Sequence, residues 1–108
     1  MAIYELYGFL SNDIDEAKNS LESAFNIKFE AHDSSYHEGD YFRSGKSINE
    51  HFILKRNVDP YDNEPVEISY SEYPILLYIN DTLRSVDLKR KIDQKVSGFI
   101  LLRHEKMQ

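Results

Sequence analysis

Five side chains in the first half of the chain are of the types that bind metals or transfer protons. They are His32, His37, Glu38, Asp40 and His51. Imidazole nitrogens and carboxylate oxygens are ligands for zinc and other divalent ions, so the 32–40 segment is a candidate metal site. Its spacing matches no established ligand pattern, and ligand types alone do not make a site without ligand count and geometry. A metal- or ligand-responsive regulatory domain that uses this segment therefore stays one hypothesis among others.

Histidine also transfers protons near neutral pH, which makes His37 and His51 a candidate acid–base pair for a nuclease or a hydrolase. The sequence offers neither a recognisable nucleophile motif nor a glycine-rich phosphate-binding loop. The acidic surroundings of the two histidines are also unfavourable for a phosphodiester substrate. We therefore expect a protein that is not an enzyme and that carries no catalytic residues, metal or cofactor.

The formal net charge of the chain comes from its middle. Residues 30–73 hold ten acidic and four basic side chains, whereas the flanking residues hold nine of each sign, so this stretch accounts for the whole charge of −6. Six of the eight tyrosines lie in the same stretch or just beyond it. Carboxylates mixed with exposed aromatic rings are suited to attract and hold a basic protein.

Eight residues in two predicted loops, 33–47 and 57–73, are the candidate contacts for such a partner. The three tyrosines among them have acidic neighbours in a loop, which favours exposure, and the carboxylates would oppose the cations of the partner. The eight are Tyr36, Glu38, Asp40, Tyr41, Asp59, Tyr61, Asp62 and Glu64. The alternative is a solvated acidic face with its tyrosines in the core. We expect core positions for Tyr4, Tyr7 and Tyr78, because they lie in predicted strands with apolar neighbours.

Hydrophobic periodicity predicts the elements that position these residues. Residues 3–10 have apolar side chains on both faces, which indicates a strand inside a sheet. Asp13 and Glu16 form a capping box at the start of an amphipathic helix that ends at Asn26. The glycine-punctuated stretch 33–47 predicts a long loop with room for a short strand at 41–43.

The remaining elements follow from alternation, from apolar runs and from a second helical stripe. Strands are predicted where apolar residues alternate or run together, at 27–31, 48–55, 66–70, 75–79 and 99–102. A second helix begins near Ser85 and ends at Gly98, and residues 103–108 are expected to form a loose tail. The order β-α-β-β-β-β-α-β predicts an α+β fold, in which two helices cover a mostly antiparallel sheet of five or six strands.

Bulk properties narrow the class of protein. At 108 residues the chain is expected to form one domain, and without cysteine it has neither disulfides nor thiolate metal sites, which fits a reducing compartment. The negative charge argues against nucleic acid or an anionic membrane as a direct partner. No apolar run approaches the roughly 20 residues of a membrane span, and residues 1–10 lack the basic start of a signal peptide. We expect a soluble cytoplasmic protein.

Four phrases spread over most of the chain resemble immunity proteins of contact-dependent growth inhibition and related polymorphic toxin systems. The phrases are YELYGF (4–9), SYHEGDYF (35–42), YPILLY (73–78) and GFILLR (98–103). The resemblance implies a bacterial cytoplasmic antidote that binds and blocks a cognate toxin domain, and it assigns no binding residue. Such toxins are often nucleases with basic active-site clefts, which an acidic surface would suit.

Three function classes follow from these observations. The main hypothesis is an immunity protein that neutralises a basic toxin domain through the 33–47 and 57–73 loops. The second is the metal- or ligand-responsive regulatory domain. The third is a subunit of an oligomer, in which the predicted strand 66–70 forms a sheet edge that pairs with a neighbouring chain.

Overall fold

The computed structural model describes residues 2–34, 39–45, 49–59 and 61–107. Their elements are β1 (Ala2–Phe9), α1 (Ile14–Phe25), β2 (Glu30–Ser34), β3 (Gly39–Gly45), β4 (His51–Arg56), a 3-10 helix (Ile68–Tyr70), β5 (Ile75–Thr82), α2 (Ser85–Lys95) and β6 (Phe99–Met107). The predicted α+β class and the order β-α-β-β-β-β-α-β are confirmed.

The six described strands form one sheet in the order β2-β3-β4-β5-β1-β6. Every pair of neighbouring strands is antiparallel, and β1 lies between β5 and β6. Because direction alternates from strand to strand, β1, β2 and β4 all finish at the same end of the sheet. We call this end, where Phe9, Ser34 and Arg56 terminate their strands, the upper end; β3 and β5 finish at the lower end.

Both helices cover one face of the sheet, the helix face. Asp13 caps α1 as predicted, since its Oδ1 accepts a hydrogen bond from the Glu16 backbone N–H at 3.0 Å, and Asn26 ends the helix in the left-handed conformation. Buried side chains of α1 and α2 pack with one face of the strands in a single apolar core, which includes Leu21, Leu88 and Leu77. Neither helix of the described chain is long and apolar enough to cross a membrane.

The segment 57–74 crosses the opposite face of the sheet, the second face. Buried Asn57 organises it: its Nδ2 donates to the carbonyl oxygens of Tyr70 and Tyr73 at 3.0 Å, and its Oδ1 accepts from the Glu67 N–H at 2.8 Å. At the far side, the Tyr70 hydroxyl donates to the Leu102 carbonyl of β6 at 3.1 Å. One buried amide thus supplies partners to three backbone groups that a strand would have bonded to a neighbouring strand.

The predicted strand at 66–70 is therefore wrong. The stretch lies in the crossing segment and contains the three-residue 3-10 helix, with Ile68 exposed. Its alternating residues do not share one buried face, since Val66 and Tyr70 are half-buried and Ile68 between them faces solvent. The oligomer hypothesis loses the edge strand on which it depended.

Two other predictions about elements are also wrong. The long loop predicted at 33–47 contains the whole of β3, whose glycines stand at the ends of the strand. The loose tail predicted at 103–108 continues β6 as far as Met107, where it pairs with Ala2 of β1. Charged side chains are typical of an edge strand, so polar composition does not argue against a strand there.

Gly8 lies where β1 meets the crossing segment. A β-carbon at this position would fall 2.5 Å from Cγ of Tyr73 and 2.9 Å from Cδ1 of Leu102. We expect Gly8→Ala to lower the free energy of unfolding by about 1–3 kcal/mol, because the ring must shift in a packed layer. Urea denaturation checks the value. In a Tyr73→Ala background the added cost of Gly8→Ala should fall, and equal costs in both backgrounds would contradict this packing.

At the lower end, an ion pair ties the residue before β4 to the start of α2. Glu50 accepts hydrogen bonds from Arg84 Nη2 at 2.7 Å and Arg84 Nε at 2.9 Å, and from the hydroxyl of buried Thr82 at 2.7 Å. The Arg84 guanidinium holds the pKa of the Glu50 carboxyl below its ordinary value, although burial acts in the opposite direction. The same bonds raise the pKa of Arg84.

This pair should make stability depend on pH. Because the folded-state pKa of Glu50 lies below its unfolded value, its contribution is present above the unfolded-state pKa and is lost as pH falls through the folded-state pKa. We expect Glu50→Gln to destabilise the protein at pH 7 by on the order of 1–2 kcal/mol for a partly exposed pair. Denaturation at several pH values should show the gap to wild type closing below roughly pH 4. Asp93→Asn, which alters an exposed pair on α2 that does not involve Arg84, is the control; a gap that persists unchanged in acid would refute the assignment.

Candidate functional site

The alternation of strand direction gathers four separate parts of the sequence at the upper end, one of which is the connection from α2 to β6, where Phe99 pairs with Phe9. The β1–α1 connection leaves from Phe9, and the crossing segment leaves from Arg56, which is paired with Ile75 next to β1. Arg56 Nη1 donates to the Asn12 carbonyl at 3.1 Å, so these two connections are in contact. β2 ends at the same end, where the register pairs Ser34 with Gly39.

The stretch from Asp59 to Glu64 folds into a turn held by its own carboxylates. Asp59 Oδ1 accepts from the Tyr61 N–H and Asp62 Oδ1 accepts from the Glu64 N–H, both at 2.9 Å. The Asp59 N–H donates to the Glu64 carbonyl at 2.8 Å, and Asn63 adopts the left-handed conformation at φ 61°. These are the turn functions that Asp and Asn side chains perform well. These hydrogen bonds join residue 59 to residues 61 and 64, and residue 62 to residue 64, within the 59–64 turn.

The four candidate contacts in this turn lie where a partner could reach them. The exposure predicted for Tyr61 is confirmed, since 75% of its surface is accessible. Asp62 and Glu64 are also exposed, and Asp59 is half-buried. The turn therefore presents one aromatic ring among three carboxylates at the upper end.

The structure does not show the candidate contacts of the other predicted loop, 33–47, as an exposed group. Tyr41 is only 7% exposed, so the exposure predicted for it is wrong. It lies inside β3, between β2 and β4, and its ring stacks on His32 at a centroid distance of 5.3 Å. Asp40 lies in β3, where the register pairs it with Asp33, and Tyr36 and Glu38 lie outside the described residues.

Sequence reasoning missed the contribution of the first turn of α1. Asp15 and Glu16 are exposed there, and β1 delivers that turn to the upper end. Two exposed apolar side chains accompany them, Leu10 at 58% and Val58 at 44%. The upper acidic surface therefore comprises Leu10, Asp15, Glu16, Val58, Asp59, Tyr61, Asp62 and Glu64. A signal was present in the acids of residues 13–16, but their fit to the helix dipole explained them without a partner.

Tyrosines expected in the core divide between the two faces of the sheet. Tyr7 is buried as predicted, whereas Tyr4 and Tyr78 are only half-buried on the second face. The Tyr78 hydroxyl donates to Glu67 Oε2 at 2.6 Å, and Arg103 Nη1 lies 3.4 Å from Glu67 Oε1. The charge of Glu67 is thus engaged within the molecule, so this acid does not add to the upper acidic surface.

The described histidines do not assemble a metal centre. Among the residues that the structure describes, no group of three or more histidine, aspartate or glutamate side chains is arranged to hold a metal ion. His51 Nδ1 lies 2.8 Å from the Asn49 carbonyl and Nε2 lies 3.2 Å from the Asn80 amide nitrogen. His37 and Glu38 lie outside the described residues, so the metal-responsive hypothesis and the His37–His51 pair stay predictions.

Comparison with models of known protein families and with curated proteins finds no match to this chain. Function is therefore inferred from the residues of the upper acidic surface and from their geometry.

The contrast between the two tyrosines gives a direct test of the site geometry. Tyr41→Ala removes a buried ring and should lower the free energy of unfolding by about 2–4 kcal/mol. Tyr61→Ala removes an exposed ring and should change it by less than about 0.5 kcal/mol. Guanidinium denaturation of both variants checks this. Comparable losses in the two variants would mean that Tyr61 packs inside the fold and is not available to a partner.

Proposed function

We propose that this protein binds a basic protein partner through its upper acidic surface and acts as an immunity protein that neutralises a toxin domain. The proposal rests on the acids of the first turn of α1 and of the 59–64 turn, which belong to two connections that leave the same end of the sheet, and on exposed Tyr61 in the second of them. The resemblance of four phrases to immunity proteins supports the choice of partner class. In this role the protein works in the bacterial cytoplasm and performs no catalysis.

Electrostatics at the upper end favours a cationic partner. Five carboxylates of the upper acidic surface face solvent in whole or in part. Exposed Arg56 and Lys95 at this end offset part of that charge, whereas Lys55 is buried on the second face, so the acids stay in excess. Unbalanced surface charge accelerates the encounter with an oppositely charged protein and disfavours partners of like charge. The charge therefore sets the rate of association and the choice of partner.

Apolar contact supplies the part of the binding energy that charge does not. Tyr61 offers a rigid amphipathic ring, and tyrosine is enriched among residues that dominate binding energy. Leu10 and Val58 provide an apolar surface at the same end of the sheet. Because the 59–64 turn is closed by its own hydrogen bonds, binding costs little loop ordering.

Neutralisation follows from where such a surface would bind. A toxin domain that acts on nucleic acid needs a cleft lined with cations, because it must attract phosphates. Carboxylates placed against those cations compete with the phosphates of the substrate for them. The body of the antidote also blocks the cleft sterically. The proposed target is therefore a basic toxin domain, with a nuclease as the favoured class.

Co-expression tests the proposal. Toxin domains encoded beside this gene are expressed with and without this protein, and growth is followed. We expect the protein to relieve the growth arrest caused by its cognate domain. If growth arrest is unaffected by the wild-type protein, the proposal fails.

Matched variants then locate the surface in the purified complex. Asp62→Asn keeps an oxygen that can accept the Glu64 N–H and removes only the charge, so it should slow association and weaken its salt dependence. Tyr61→Ala should mainly speed dissociation, by about tenfold, because it removes the aromatic ring of the interface. Asp87→Asn on α2 is the charge-matched control and should leave both rates unchanged. Equal effects of Asp62→Asn and Asp87→Asn would place the interface elsewhere.

A further inference from the structure

A buried carboxylate orients a histidine on the helix face, away from the upper acidic surface. Glu5 in β1 is 4% exposed, and its Oε2 lies 2.6 Å from Nδ1 of His104 in β6. The register pairs the two residues directly across the strands. Cross-strand placement fixes the carboxylate behind the imidazole, so the pair does not depend on a flexible loop.

Two side chains, His104 and Tyr7, lie close to the carboxylate of Glu5. The Tyr7 hydroxyl lies nearby, and burial, aided by the negative charges of Glu5 and Asp93, raises the pKa of Tyr7 far above its ordinary value, so it stays a neutral phenol. The side-chain interaction of the Tyr7 hydroxyl with Glu5 acts in the same direction on the pKa of Tyr7.

The hydrogen bond to Glu5 determines which ring nitrogen of His104 can react. An ionised carboxylate can only accept hydrogen bonds, so the proton of the neutral imidazole lies on Nδ1. The lone pair is then on Nε2. The side chain of His104 is 39% exposed, so reagents can reach it from solvent. A carboxylate behind Nδ1 also stabilises the imidazolium that forms when Nε2 attacks an electrophile.

The other described histidines lack this arrangement. His51 Nδ1 faces a backbone carbonyl, and its Nε2 lies within hydrogen-bond distance of the Asn80 amide, which can donate to it. His32 is stacked on Tyr41. Among the described residues, His104 alone has a buried carboxylate as its ring partner. The other described histidines therefore serve as internal controls for the reactivity of His104.

We propose that His104 Nε2 is a nucleophilic site that accepts an acyl group from an uncharged activated acyl donor, such as an ester, a thioester or a carbonic anhydride. The negative charge of Glu5, which lies 2.6 Å from the ring, disfavours anionic donors such as acyl phosphates. The Nε2 lone pair forms a bond to the carbonyl carbon, and the alcohol, thiol or carbonate leaving group departs with the bonding pair. The Nδ1 proton shifts towards Glu5 and then to solvent or the leaving group, which leaves an acylimidazole that water can hydrolyse.

Diethyl pyrocarbonate, an uncharged carbonic anhydride, is the probe. The folded protein is treated with a limiting amount at pH 7, and the modification rate of each histidine is measured by peptide mass spectrometry. Because the carboxylate fixes the tautomer and stabilises the charge that develops, we expect His104 to react on the order of tenfold faster than His51. A rate for His104 equal to or below that of His51 would overturn the proposal.

A comparison with the unfolded protein distinguishes an activated histidine from one that is merely exposed. A histidine that is merely exposed reacts no faster in the folded chain than in urea, whereas His104 should react faster in the folded chain than in urea. Glu5→Gln keeps the shape of the side chain and removes its charge, so it should bring the rate of His104 down to that of the unfolded chain. If this variant does not fold, the comparison of folded with unfolded wild type still decides, and a folded rate at or below the unfolded rate refutes activation.

Discussion

Strict alternation of strand direction is the constraint on which the rest of this molecule depends. β1 lies between β5 and β6, and every neighbouring pair is antiparallel. Each connection must leave the sheet from the end at which the preceding strand finished. Connections that are far apart in sequence, after residues 9 and 56, therefore leave from the same end. A surface built from separate acidic stretches follows from this connectivity and needs no long-range attraction between them.

Local patterns recovered the elements that local chemistry determines. The capping of α1 by Asp13 and its end at Asn26 depend on residues within one helical turn, and both were predictable. The strand predicted at 66–70 was not real, because its fate depends on Asn57, a residue outside the stretch. The element order was still correct, because the short strand allowed at 41–43 is the centre of β3. Whether each stretch pairs with neighbouring strands decided both outcomes, and a short stretch of sequence does not show which strands will pair.

The residues of the candidate site also divide into those that local sequence could predict and those that it could not. Tyr41 and Tyr61 both have acidic neighbours in the sequence, yet one ring is buried in the sheet and the other faces solvent. Composition does not show which of the two rings is exposed. Exposure depends on the fold, in which Tyr41 lies in a strand with a neighbour on each side and Tyr61 lies in a turn. The 59–64 turn was predictable because Asp and Asn side chains bond to their own backbone. The first turn of α1 was overlooked because one favourable interaction, with the helix dipole, sufficed to explain its acids.

In the proposed binding role, the carboxylates that hold the 59–64 turn would also attract the partner. Asp59 and Asp62 each use one oxygen to hold the 59–64 turn, while the negative charge of each is still felt by an approaching protein. A hydrogen bond acts over about 3 Å, whereas the field of a charge reaches roughly 8 Å at physiological ionic strength. The two roles therefore differ in range and in their response to salt. Added salt should suppress the attraction and leave the turn, with Tyr61 in place, intact.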